Sequence, residues 1–259
     1  MTGFSAEQAD RRRRLFLLAQ LQARSAVSEP GPEETATVSG AGSAPVPTWK
    51  RKRRSFETAI ADRATPLAWV FTGEPACGAP DDGPSVPLSG LAGVAIRENL
   101  RRQTDAFVDT SSPGLRLTEL LQDFDRRVAR FRPDILVVGT TTREEVRALK
   151  GLPRFERRLI QLTRYCHRRG CEVILMTPTF RAATSAEDEI DRLVYVEATR
   201  GIAAEHAIPL VDLWAHGEET GDLSAGGLLH RFLRDLQLER ERSEASTDCG
   251  APRRRASLQ

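Results

Sequence analysis

Few side chains in this 259-residue chain could do covalent chemistry, and they are scattered. Ser111 and Ser112 lie in the run Thr110-Ser-Ser-Pro-Gly114, Cys77 and Ser85 at and within a Pro- and Gly-rich stretch, and Glu74 in Gly73-Glu74-Pro75. His230 is the candidate base, and Asp222 precedes it in a Gly-rich segment. A hydroxyl or thiol becomes a nucleophile once an adjacent imidazole takes its proton, and a carboxylate such as Glu74 can serve as general base or attack directly. Each residue also has a plainer role. Serines in a Thr-Ser-Ser-Pro-Gly run suit turn chemistry, Cys77 suits a small filler, and Glu74 a solvated carboxylate. Asp222 could swing toward His230, which makes a dyad without a nucleophile.

Periodicity supplies the elements that must position these groups. Leu67 to Phe71 reads as a buried strand broken at Gly73. Gly78 to Leu88, with three prolines, reads as a loop. A helix is expected over Leu91–Arg101, a strand over Asp105–Asp109, and one helix from Leu117 to Phe131, stopped by Pro133. Ile135–Val138 is apolar on both faces, as in a parallel sheet. A helix with Pro153 in its first turn follows, then a strand at Val173–Met176. The next helix is opened by Ser185 with Asp188, or Thr184 with Glu187, and runs to about Ala207. A strand over Ile208–Leu213, a polar loop over Gly221–Gly227 and a helix over Leu228–Leu238 complete the domain. The pattern predicts an α/β fold of three α/β/α layers with a parallel, flavodoxin-like five-stranded sheet. Any site then lies outside the carboxyl ends of the strands.

The folded domain is expected over residues 65–238, after an amphipathic basic helix (1–26) and a disordered, basic linker (27–64), and before a charged, disordered tail (239–259). The net charge of +2 excludes a whole-molecule field for nucleic acid or membrane. The basic runs Arg11–Arg14, Lys50–Arg54 and Arg253–Arg255 fall outside the expected domain, where salt-sensitive anion contact remains an alternative function. Four cysteines form neither a disulfide framework nor a zinc set, so no metal or other cofactor is implied and a reducing, cytoplasmic setting is expected. Arg13-Arg14-Leu15-Phe16-Leu17 is similar to a twin-arginine export signal, but its apolar run ends at Leu21 and already contains Gln20. No apolar run reaches the ~20 residues of a membrane span.

The order of these motifs resembles the SGNH (GDSL-type) hydrolases over Leu67–Leu238. In the best block, Thr118–Gly139, the run Asp123-Phe-Asp-Arg-Arg-Val-Ala-Arg-Phe-Arg-Pro-Asp-Ile-Leu-Val-Val-Gly139 is similar to the helix and third strand of actinobacterial members, and the Arg- and Ala-rich composition suits a high-GC bacterial source. The resemblance implies a nucleophilic serine where this chain has Pro75, and Pro75 also lacks the N–H that would help bind an oxyanion. It implies an oxyanion glycine at Gly114 and an oxyanion asparagine where Thr141 stands. It implies a base at His230, with its aspartate partner replaced by Gly227. Losing one oxyanion donor costs roughly 10²–10³ in turnover, and triad loss leaves only about 10³–10⁴ over water. The expectation is a catalytically impaired, pseudoenzyme-type protein whose crevice around Gly73, Pro75, Gly114 and Thr141 binds a small acyl- or ester-like ligand or a protein partner. The alternative is an ester hydrolase or acyltransferase using a rearranged site around His230 and Glu74.

Overall fold

A computed structural model describes residues 53–76, 87–141, 148–179 and 186–248. The expected 1–26 helix, Cys77, Ser85, Cys249, the residues proposed to cap the helix before Ala186, and most of the basic runs lie outside these residues. Five strands form one parallel sheet: β1 (Ala68–Gly73), β2 (Ala106–Asp109), β3 (Ile135–Gly139), β4 (Glu172–Met176) and β5 (Leu210–Val211), in the order β2-β1-β3-β4-β5. Each adjacent pair is parallel. β3 and β4 are buried along their whole length because helices cover both sheet faces, which explains the unbroken apolar runs Ile135–Val138 and Val173–Met176.

The two faces form separate apolar clusters. On one side α1 (Phe56–Ala61), α2 (Leu88–Asn99) and α8 (Ala225–Asp248) pack Phe56, Ile96 and Phe232 against Trp69, Phe71 and Val137. On the other, α3 (Leu117–Gln122), α4 (Phe124–Arg127), α5 (Ala148–His167) and α6 (Ala186–Glu205) set Leu120, Phe124, Leu159 and Tyr195 against Val70, Leu136 and Val173. The three-layer α/β/α architecture is as the periodicity indicates.

Several boundaries differ from the sequence reading. The single helix over Leu117–Phe131 is α3, α4 and a 3₁₀ turn at Ala129–Phe131, interrupted where Asp123 and Val128 leave helical dihedrals. Both are weak helix formers, yet Leu117, Leu120, Phe124 and Val128 all remain buried, so the stripe is kept by bending the chain. The fifth strand is two residues long, because the Asp212 side chain accepts from the Ala215 N–H and starts an unanticipated helix, α7 (Leu213–Thr220). Pro153 lies in the second turn of α5, which begins at Ala148. α2 starts at Leu88, earlier than expected, and α8 continues past Leu238 to Asp248, into the segment read as a disordered tail. α1 buries Phe56, Ala59 and Ile60, so the segment read as linker to Ala64 joins the folded unit by Phe56.

One buried ion pair ties α1 to the sheet. Arg102 donates through Nε to Asp105 at 2.7 Å, with both side chains at or below 1% exposure. Its other nitrogens donate to the carbonyls of Ile60, Asp62 and Thr65 at 3.1, 2.9 and 2.8 Å. Asp105 also accepts from the Leu67 N–H at 3.0 Å and the Trp69 indole N–H at 2.8 Å. At the amino end of β4, burial would raise the Glu172 carboxyl, but His167 and Arg53 hold it below its usual range. Arg53 forks onto it with two bonds of 3.0 Å. Cys166 and Cys171 are buried free thiols, and burial together with Cys166 pushes the Cys171 thiol up. No described helix is long and apolar enough to cross a membrane.

Because Arg102 is the cation paired with buried Asp105, removing it strands a carboxylate in the core. Arg102→Ala is expected to cost about 3–5 kcal/mol in urea denaturation, the range for breaking a buried pair from one side. A loss under about 1 kcal/mol would mean that the hydrogen bonds to Leu67 and Trp69 alone hold Asp105.

Candidate functional site

The carboxyl ends of β1 and β3 meet with no room between them. Gly73 has φ +84°, and a Cβ on it would lie 2.1 Å from the Gly139 carbonyl oxygen. A Cβ on Gly139 would lie 2.0 Å from the Glu74 carbonyl oxygen. This approach lets the Glu74 N–H donate to the Gly139 carbonyl at 2.9 Å. On the other side Ser112 N–H donates to the Gly73 carbonyl at 3.0 Å, and Thr110 N–H to the Phe71 carbonyl at 2.8 Å. The turn after β1 is therefore stitched to the last residue of β3 and to the segment following β2, and Gly73, Glu74, Pro75 and Gly114 converge.

Within that turn the Glu74 carboxylate faces the loop after β2. Its Oε2 accepts from the Gly114 N–H at 2.6 Å. Gly114, at φ +74°, has open space around its Cα. The N–H expected as an oxyanion donor is thus already bonded to a carboxylate from the same chain. Pro75 contributes neither hydroxyl nor N–H beside it. Ser111 donates through its N–H at 2.8 Å and its hydroxyl at 2.5 Å to Asp109, and the Ser89 hydroxyl donates to the same carboxylate. The serines after β2 therefore close a turn, the plainer of the two roles read from the sequence. The cleft beside Glu74, Pro75, Leu88, Ser89 and Ser111 has a cavity volume of about 10 Å³, room for roughly one water.

The remaining candidates sit on other elements. Thr141 is buried just past β3, beyond Thr140, whose N–H and hydroxyl both hold the Met176 carbonyl. His230 is exposed in the second turn of α8. It lies two residues, about 200° of helix, from buried Leu228 and from buried Phe232, and so faces away from the sheet. His230 and Glu74, the two residues of the alternative rearranged site, share no hydrogen bond among the described residues. The Asp222 side chain instead caps the loop before α8, accepting from the Ser224 N–H at 2.9 Å, and Ser224 bonds hold its carboxyl below the usual range. A Cβ on Gly227 would meet Asp222 Oδ2 at 2.3 Å, so the Asp222 carboxylate fills the space of a side chain at 227. Sequence reasoning passed over His216, which is buried on α7 with its Nε2 unpartnered among the described residues. Its signal was hidden in a stretch not read as helix. No group of three or more His, Cys, Asp or Glu suited to a metal occurs among the described residues.

A second polar network fixes the elements after β5. Burial would raise the Asp212 carboxyl, but Arg200, the Ala215 N–H and the Thr177 hydroxyl outweigh it and hold it below its ordinary 3.8. Arg200 reaches it with bonds of 2.7 and 3.1 Å, and Asp235 of α8 accepts from the Asp212 N–H at 2.9 Å. α7 and α8 are in this way pinned to the edge of the sheet.

Two outcomes follow from this geometry. Gly73→Ala combines left-handed strain of about 1–2 kcal/mol with overpacking of about 1–3 kcal/mol, whereas Gly114→Ala meets the strain alone. Denaturant unfolding should rank Gly73→Ala clearly below Gly114→Ala; equal losses would mean that the β1–β3 contact opens readily. Asp212 has a folded pKa below its unfolded value, so its contribution is present above pH 3.8 and fades as the pH falls through the folded value. The stability gap between wild type and Asp212→Asn should be widest near neutrality and shrink below that pH, as measured by urea midpoints.

No family model matches the sequence, and no curated protein matches it. Solved structures do match. The acetylxylan esterase Axe2 from Geobacillus stearothermophilus aligns at 16% identity over 66% of this chain and 94% of its own, with a TM-score of 0.52. LAE5, an alpha/beta hydrolase enzyme from the metagenome of Lake Arreo, aligns at 13% identity over 66% of this chain and 95% of its own, with a TM-score of 0.51. A GDSL-like lipase candidate from Parabacteroides merdae aligns at 12% identity over 68% of this chain and 96% of its own, again with a TM-score of 0.51. Matches this distant in sequence speak to architecture alone. The chain has an SGNH (GDSL-type) hydrolase-like fold.

Proposed function

We propose that this chain is a non-catalytic SGNH-like protein, in which a hydrolase frame serves binding of a ligand or protein partner at the crevice rim. The observation that carries the reading is the occupant of the turn after β1. Pro75 supplies no attacking oxygen and no N–H, while the neighbouring Glu74 carboxylate takes the Gly114 N–H. A tetrahedral oxyanion at that donor would sit against a carboxylate, which repels the charge that acyl transfer must stabilise. His230 on the outer face of α8 supports the same reading, since a base must come within about 3 Å of the proton it removes. Each of these losses alone would lower turnover by orders of magnitude.

The test is hydrolysis of p-nitrophenyl acetate, with fluorophosphonate labelling, by wild type, His230→Ala and the double variant Glu74→Asp/Pro75→Ser. Wild type is expected to match the uncatalysed rate and to take no label. Wild-type turnover abolished by His230→Ala would overturn the proposal in favour of a rearranged hydrolase or acyltransferase.

A further inference from the structure

We infer that the outer face of α5 is a docking surface for duplex DNA, held through its phosphates without regard to base sequence. The inference is independent of the crevice. Between Gly151 and Gly170 the chain carries Arg154, Arg157, Arg158, Arg164, Arg168 and Arg169 against one acid, Glu156. In a protein whose net charge is +2 this is a local excess, balanced by acids elsewhere. Helical geometry sorts it further. At about 100° per residue, Arg154, Arg157, Arg164 and Arg168 fall within an arc of about 80°, and all four are exposed. Arg168 stands one residue past α5, yet its N–H donates to the Arg164 carbonyl at 3.1 Å and so keeps the helical phase. Phe155, Leu159 and Leu162 fill the opposite side and are buried. Glu156 lies about 200° from Arg154, off the stripe. A merely solvated helix mixes both signs along its outer face; this stripe, about 21 Å long, carries one. Among the described residues no carboxylate pairs with Arg157, Arg164 or Arg168, and Arg157 Nε turns back to the Pro153 carbonyl of its own helix. At the carboxyl end of α5, His167 and Arg53 share the Glu172 carboxylate, which brings a half-exposed guanidinium beside the stripe. Lys50-Arg51-Lys52 precede that arginine in the chain.

The chemistry around the stripe selects the partner. A guanidinium fork matches a phosphate with two parallel bonds. A protein interface needs an apolar centre, and a membrane-surface helix needs apolar side chains to insert. The one exposed large apolar residue among the described residues is Val94, on α2 across the sheet. Single strands are gripped by stacking bases on open aromatic rings. Tyr165, the aromatic residue beside the stripe, is already engaged: the Arg169 guanidinium lies 3.5 Å from its ring centre and Phe124 packs edge-on at 5.0 Å. A duplex backbone needs neither feature. A row of arginines about 21 Å long crosses the major groove of B-form DNA, about 12 Å wide, and reaches phosphates on both strands.

The experiment is a titration of a labelled random-sequence DNA duplex with the full chain, read by fluorescence anisotropy over a salt series. Wild type is compared with Arg157→Glu/Arg164→Glu/Arg168→Glu and with Arg63→Glu/Arg101→Glu/Arg234→Glu, an equal charge change at exposed arginines elsewhere on the molecule. The stripe variant should bind at least about ten-fold more weakly at low salt, and its slope of log affinity against log salt should be shallower by about 3. The control should keep the wild-type slope. Equal losses in both variants, an unchanged slope in the stripe variant, tighter binding of the single strand, or no binding by wild type would overturn the inference. Capture by phosphatidylserine vesicles without binding of the duplex would overturn it as well. Should the stripe variant fail to fold, glutamine at the same three positions decides the matter, since the slope must fall there too.

Discussion

The approach of Gly73 to Gly139 is the constraint from which the rest of the crevice follows. Two parallel strands lie side by side in any such sheet, but here their ends close until neither position admits a Cβ. That closeness puts the Glu74 N–H on the Gly139 carbonyl, and it leaves the Gly73 carbonyl free to accept from Ser112. The side chain of Glu74 then has one direction to go, across the turn to the Gly114 N–H. A backbone fit suited to holding a reactive group holds an acidic side chain beside a proline instead. The frame and the chemistry separate cleanly here because the frame depends on glycines and the chemistry on their neighbours.

Much of the architecture was legible because burial on two faces writes itself directly into composition. Ile135–Val138 and Val173–Met176 carry no polar residue, and both are central strands. The helices packed on them show their apolar stripes, even where Asp123 and Val128 break one expected helix into three pieces. The fifth strand was legible in place, over Ile208–Leu213, but not in length, and α7 was not legible because it begins on a side-chain cap at Asp212 that looks like any other acid. Arg102 likewise reads as a surface charge until Asp105 and three backbone carbonyls are seen around it.

The site was legible by position and less so by direction. Gly73, Pro75 and Gly114 fall where strand ends converge, as the motif order implied. His230 does not, and the reason is helical phase: α8 starts at Ala225, which turns residue 230 away from the face carrying Leu228 and Phe232. The Glu74–Gly114 bond could not be read from sequence at all, since it joins residues forty apart through a left-handed glycine. Asp222 shows the same behaviour at the α8 start, filling the volume left by Gly227. In both places a carboxylate of the chain itself stands where a smaller or neutral neighbour left a donor or a space.

The Arg53–Glu172 fork gives the molecule two poles. Glu172 opens β4, so the polypeptide enters the domain at the amino edge of the sheet, whereas Glu74 and Gly114 lie past its carboxyl edge. Five residues of strand, about 16 Å, separate the two. Arg53 is therefore held at the opposite end of the strands from the crevice. One buried carboxylate thus fixes which end of the sheet the basic segment meets, and it is not the end that carries the crevice.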